Sequence, residues 1–94
     1  MQKPFIIGPN RTILLIHPKL QLPNLYKVPK INLLLVAGGA NIPFSEIALR
    51  FPKTILVFDS SNPLWKIQLW KKEADRLHLR HHSVPEQGAF EYNL

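Results

Sequence analysis

Hydrophobic residues recur along the chain in short, nearly unbroken runs that glycine, proline and polar residues separate. The runs Ile31–Val36 and Thr54–Phe58 are almost entirely apolar, which is typical of strands covered on both faces of a sheet. The run Arg11–His17 follows Phe5–Ile7 across turn-forming residues at 8–10, so these two segments are expected to form a hairpin. The pattern therefore predicts a sheet with a buried centre.

Two helices are expected on this sheet. After Asn62, apolar residues recur at three- and four-residue steps and share one helix face, which should lie on the sheet. Asn62 is a suitable helix N-cap, and Pro63 suits the first helical position because its missing N–H has no helical partner. A shorter helix is expected from Phe44 or Ser45 to Arg50. The predicted buried face of the longer helix consists of Leu64, Ile67, Trp70, Ala74 and Leu77.

The remaining segments are expected to be loops and edge strands. Residues 19–29 lack a clear period and are interpreted as a loop, in which Leu20 and Leu22 could form a short edge strand. Leu79–Val84 is predicted to be a strand, residues 85–88 a turn and residues 89–92 a final short strand. The order predicts one α/β (α+β) domain over residues 1–94, with a mixed sheet and two helices packed on it.

Composition narrows the function classes. The 94 residues include no cysteine, which excludes disulfides, thiolate nucleophiles and thiolate metal ligands. The longest apolar run, Leu33–Ala40, is far shorter than the about 20 residues that span a bilayer. Twelve Lys and Arg against six Asp and Glu give a net charge of +6. Such a charge attracts nucleic acid or an anionic membrane surface, although it also serves simple solubility.

Polar residues and glycines follow the two most buried strands. Function in open α/β sheets tends to lie where the carboxyl end of a strand meets the amino end of a helix. Asp59 stands there and could act as a general base, although turn formation and helix capping are its commoner roles. The neighbouring serines lack the glycine framing of a nucleophile elbow, so no residue is predicted to be catalytic. The polar residues are Asp59, Ser60, Ser61 and Asn62, and the other strand runs into Gly38, Gly39 and Asn41.

The histidines do not predict a metal site. His81 and His82 fall on opposite faces of the predicted strand, so they cannot both turn towards one ion. Neither a metal nor another cofactor is therefore predicted.

Cations on the long predicted helix are candidates for contact with nucleic acid. Lys72 and Arg76 are four residues apart and share one side of the helix. Trp65 lies roughly 140° around the helix from Trp70, where either packing or stacking on a base is open to it. The candidate residues are Lys66, Lys72, Arg76, Arg80 and Trp65.

Several segments resemble the C-terminal part of ComEC-type competence proteins, the channel proteins of natural transformation. They are KINLLLVAGGAN, PFSEIALRFPKTILVFDSSN, PLWKIQLWKKEADRLHLRHHSVPE, QGAFEYNL and the opening FIIGPNRTILLIHP, and together they cover most of the chain. The soluble end of that family has a metallo-β-lactamase-like fold, so the resemblance implies about half of such a fold. It also implies a fragment of a larger inner-membrane protein for uptake of transforming DNA, with the transmembrane part of that protein as a partner.

The chain departs from the catalytic members of that family at their metal-binding motifs. Residues 37–40 read Ala-Gly-Gly-Ala where those members carry His-His-Gly-Ser, and their His-x-His-x-Asp-His motif has no counterpart. A two-metal hydrolase needs those ligands. The resemblance thus implies a metal-free relative that keeps only the loops of the former site.

Three functions stay open at this point. The first is a non-catalytic module that contacts single-stranded DNA. The second is a structural domain that docks on the membrane part, self-associates or faces anionic lipid. The third is a residual phosphodiesterase or nuclease that uses Asp59 with His81 or His17. The side of the bacterial inner membrane is also open, with the periplasm as one option.

Overall fold

Among the residues that the structure describes, five strands form a central sheet whose strand order follows the chain order. The computed structural model describes residues 5–6, 12–19 and 24–90. The strands β2, β3, β4 and β5 run parallel, and β1 pairs antiparallel with β2 as the predicted hairpin. This is the mixed sheet that the sequence predicts. The strands are β1 Phe5–Ile6, β2 Thr12–Ile16, β3 Leu33–Val36, β4 Ile55–Phe58 and β5 Arg80–Ser83.

Helices connect the parallel strands. Helix α1, Phe44–Arg50, joins β3 to β4, and α2, Leu64–Arg76, joins β4 to β5. Both helices contribute side chains to one core cluster, which places them on the same face of the sheet. No helix among the described residues is long and apolar enough to cross a bilayer.

Strands β3 and β4 are covered on both faces, as their sequences predict. Alternate side chains along β3 and β4 enter the main core under α1 and α2, and the side chains between them form a smaller cluster on the opposite face. Trp70 of α2 lies on Phe58 of β4 with a ring-centroid distance of 5.3 Å. The smaller cluster consists of Leu33, Ile55 and Val57, with Ile13, Leu35, Val84 and Phe90 packed against it.

The start of α2 differs from the prediction. Pro63, not Asn62, occupies the N-cap position, and no side chain caps the helix. Asn62 is instead drawn inward by partners on another loop. Leu64 was expected in the core but is 53 % exposed. At 100° per residue, it lies roughly 80° from the centre of the buried face of Ile67, Trp70 and Ala74, so it sits on the flank of the helix.

Two further segments also differ. The predicted turn at 85–88 is a third helix, α3, Val84–Gln87, and residues 89–90 are not in a strand. The rest of that predicted strand, residues 91–92, lies outside the described residues. The predicted loop at 19–29 contains a 3₁₀ helix, Leu25–Lys27, whereas the edge strand expected around Leu20 and Leu22 also lies outside them.

Candidate functional site

The loops that follow β3 and β4 meet at the carboxyl edge of the sheet. Gly38 and Gly39 both have positive φ, 65° and 68°, which the paired glycines predict. A Cβ atom at Gly38 would lie 2.9 Å from His17 Nε2, at the end of β2, so a side chain there would also collide. The glycine turn therefore packs closely against the end of the neighbouring strand.

Hydrogen bonds lock these two loops together. The Gly38 N–H donates to Ser61 Oγ at 2.7 Å, and the Gly39 N–H donates to Asn62 Oδ1 at 2.8 Å. The Asn62 amide nitrogen donates in turn to the carbonyl oxygens of Val36, at 2.8 Å, and Asp59, at 3.0 Å. Asn62 is 5 % exposed and its bond to Val36 is buried, whereas the bond between Gly38 and Ser61 is exposed. We call Gly38, Gly39, Asp59, Ser61, Asn62 and Lys66 the carboxyl-edge cluster.

Asp59 shapes the second loop. Its Oδ1 accepts the Ser61 backbone N–H at 2.9 Å and also accepts the Ser61 hydroxyl. Since Ser61 Oγ also accepts the Gly38 N–H, the carboxylate and the hydroxyl both hold the turn in place. The other two residues predicted for these loops, Asn41 and Ser60, are exposed and take no part in this network.

Lys66 belongs to the same cluster rather than to the free surface of α2. Its Nζ donates to the Gly39 carbonyl oxygen at 2.6 Å. The ammonium also lies 5.9 Å from the ring centroid of Trp65 and 6.0 Å from that of Trp70, within cation–π range. The Lys66 side chain thus links α2 to the glycine loop that follows β3.

A second feature runs along the outer face of α2. Trp65, Leu69, Lys72 and Arg76 follow at steps of four, three and four residues, so they share the face opposite the buried one. Trp65 is 64 % exposed and Leu69 is 56 % exposed. We call these four residues the α2 stripe. Leu69 was not predicted, although its spacing from Trp65 could have shown it.

The cations near the α2 stripe are not equally available. Lys72 is exposed, whereas the Arg76 guanidinium forms an ion pair with Glu73. The hydrogen bond from Arg76 lowers the pKa of the Glu73 carboxyl below its ordinary value, and the pKa of Arg76 is raised further by the same bond. Arg80 is exposed on β5, at the edge of the sheet. The cations predicted to contact nucleic acid therefore do not form one patch, because Lys66 lies in the carboxyl-edge cluster and not with Lys72 and Arg76 on the α2 stripe.

The histidines point away from one another. His81 lies over Phe58, with ring centroids 6.3 Å apart, and its Nε2 is 2.7 Å from Asp75 Oδ1. His82 Nε2 lies 2.8 Å from the Gly88 carbonyl oxygen on the other face. Within the part of the chain that the structure describes, no three His, Asp or Glu side chains could hold a metal ion together.

The fold and its loops define an α/β domain with a glycine loop and a polar turn at one edge of a parallel sheet. The family model described as the ComEC C-terminal domain matches residues 2–94, nearly the whole chain. The chain belongs to this family, which connects it with DNA uptake in competence as part of a larger membrane protein. No curated protein and no solved structure matches it.

Proposed function

We propose that this domain is a non-catalytic module that contacts incoming single-stranded DNA along the α2 stripe. The observation that carries the proposal is Trp65, which is 64 % exposed and lies in line with the cations Lys72 and Arg76. Single-stranded DNA is bound by aromatic rings that stack on bases and by cations that follow the phosphates. The net charge of +6 adds a long-range attraction.

The contacts of the α2 stripe suggest a division of labour. Trp65 is held from one side by the Lys66 ammonium and presents the rest of its ring outward. It would stack on a base, which is worth about 1–3 kcal/mol. Lys72 would meet a phosphate about one and a half to two helical turns further along. Arg76 would contribute less, because its guanidinium is already paired with Glu73.

The absence of catalysis is part of the same proposal. The polar groups at the carboxyl edge bond to one another, with Asp59 and Ser61 both engaged in the turn. Two histidines could act together with Asp59; His81 is bonded to Asp75, whereas His17 lies at the same edge beside Gly38. A nuclease assay with added manganese or zinc tests this part. If the domain cleaves nucleic acid and Asp59→Ala abolishes this activity, the domain is a residual phosphodiesterase and the proposal is wrong.

The test of DNA binding is a titration of labelled oligo-dT with the domain, read by fluorescence anisotropy at two salt concentrations. Trp65→Ala should weaken binding by about 5- to 150-fold, the equivalent of one lost base stack. Lys72→Gln should lower the salt dependence by roughly 0.7 in the log–log slope, the value of one single-strand phosphate contact. Lys19→Gln removes the same charge from an exposed turn and is the matched control. Undetectable binding at the lower salt, or equal effects of Lys72→Gln and Lys19→Gln, would contradict the proposal.

A second candidate function is docking on another protein surface, including a second copy of the domain. Leu64, Trp65 and Leu69 are all more than half exposed on one helix, which also suits an apolar interface. In that case sedimentation should show an oligomer that Leu69→Glu dissociates, and oligo-dT should not compete with it.

A further inference from the structure

A cleft opens at the amino edge of the sheet, where the segments that lead into β3 and β4 lie side by side. It consists of two adjoining hollows of about 400 and about 220 Å³, and Pro29, Arg50 and Phe51 line both. We call this the amino-edge cleft, lined by Leu25, residues 28–32 and residues 49–53. It lies at the opposite end of the strands from the carboxyl-edge cluster.

The two hollows differ in chemistry. Polar atoms contribute more than half of the exposed surface of the larger one, although Leu25, Val28 and Leu49 line it. The smaller one is lined by Lys30 and Lys53, with Arg50 shared between the two hollows. None of the lining residues is acidic. The surface of the smaller hollow is mostly apolar, so together with its two lysines it fits a ligand with a flat organic body and a negatively charged group.

The cleft carries more positive charge than its ion pair and the dipole of α1 account for. Arg50 lies in the last turn of α1, where a positive charge suits the helix dipole, and it pairs with Glu46 at 3.0 Å. Lys30 comes from a different segment, before β3, and Lys53 follows the helix end by three residues. Both are exposed, and neither forms an ion pair within the described ranges. Two unneutralised ammonium groups at one hollow attract a phosphate.

The walls of the cleft are fixed to the sheet. Asn32 Oδ1 accepts the Thr12 N–H at 2.8 Å, and the Asn32 carbonyl oxygen accepts the Ile55 N–H at 3.1 Å. The Thr54 N–H donates to the Phe51 carbonyl oxygen at 3.0 Å, which closes the turn after α1. A preformed cleft of this kind loses little conformational entropy on binding.

We propose that the amino-edge cleft binds a nucleoside monophosphate group. The base lies in the smaller hollow against the apolar surface of Pro29 and Phe51, and the phosphate lies against Lys30 and Lys53, which line the same hollow. The combined hollows match the few hundred Å³ that small-ligand sites provide. The group can come from a free nucleotide or from the phosphorylated end of a DNA strand. This site shares no residue with the α2 stripe, so it stands independently of the function proposed there.

The test is isothermal titration of the domain with thymidine 5′-monophosphate, thymidine and inorganic phosphate. The nucleotide should bind saturably, and each of the two parts should bind at least tenfold more weakly. Lys30→Gln and Lys53→Gln should each weaken nucleotide binding about tenfold, as expected for loss of one charge-assisted contact. Lys19→Gln should leave it unchanged. Circular dichroism melting curves check that all variants are folded.

Further titrations separate the sources of the phosphate. If 5′-phosphorylated oligo-dT competes and its dephosphorylated form does not, the cleft takes a strand end. If only the mononucleotide competes, the cleft takes a free nucleotide. Either result supports the proposal, whatever the α2 stripe variants do. Three results would overturn it: no saturable nucleotide binding, equal affinity for inorganic phosphate and the nucleotide, or binding of phosphatidylglycerol vesicles without nucleotide binding.

Discussion

Replacing Asn62 by alanine should cost more stability than replacing any exposed residue of the same loops. In Asn62→Ala, the partly buried Gly39 N–H loses its acceptor, which costs about 1–3 kcal/mol. The carbonyl oxygens of Val36 and Asp59 lose one donor each but keep another, from the backbone N–H groups of Asp59 and Asn62, so each loss is about 0.5 kcal/mol. The sum is about 2–4 kcal/mol, a large share of the 5–15 kcal/mol that stabilises a typical domain.

Urea denaturation followed by tryptophan fluorescence measures this change, because Trp70 is buried against Phe58. With a denaturant slope of about 1–1.5 kcal/mol/M, the unfolding midpoint should fall by roughly 2 M. Asn41→Ala is the matched control, since Asn41 is an exposed asparagine of the glycine loop. Its free energy of unfolding should stay within about 0.5 kcal/mol of that of the parent protein. If both variants unfold at the same urea concentration, the hydrogen bonds of Asn62 do not hold the loops together.

Three further changes follow from the same structure. Glu73→Gln should free Arg76 from its ion pair and tighten oligo-dT binding at neutral pH. The pKa of Glu73 is lowered in the folded protein, so the ion pair is fully formed above the unfolded pKa and is lost as the pH falls through the folded pKa. Anisotropy titrations of the parent protein and the variant should therefore give the same affinity below that pH. Gly38→Ala should destabilise the fold by about 1–3 kcal/mol in urea titrations, since φ is +65° and His17 blocks the added Cβ, and an unchanged midpoint would refute this. Thr54→Val should raise the melting temperature through a gain of about 1 kcal/mol, because the Thr54 hydroxyl is buried without a hydrogen-bond partner among the described residues; a lower melting temperature would show that the hydroxyl is satisfied.

The sequence predicts the sheet and its two main helices because their signals are local. The unbroken apolar runs Ile31–Val36 and Thr54–Phe58 contain β3 and β4, and the spacing of Ile67, Trp70 and Ala74 fixes the buried face of α2. The position of Asn62 could not be predicted in this way. Its partner Val36 lies 26 residues earlier, and that contact outweighs the local preference of asparagine for a helix cap.

The third helix and the amino-edge cleft also have signals in the sequence. Pro85 and Gly88 suggest a turn, but proline in a first helical turn and glycine after a last one also bracket a short helix, which α3 is. Lys30 and Lys53 are 23 residues apart, yet Leu33 pairs with Ile55 across the parallel strands. Residues that precede two neighbouring parallel strands by two or three positions meet at one edge, so the cleft follows from the strand register.

The strand order β1 to β5 has a consequence for how the protein forms during synthesis. Each strand pairs with the one that left the ribosome just before it, and no described strand must be inserted between two earlier ones. The sheet can therefore grow in step with translation, with each helix laid down before the strand that follows it. Short-range pairing of this kind lowers the loop-closure entropy of folding and limits the time during which β3 and β4 expose unpaired apolar edges.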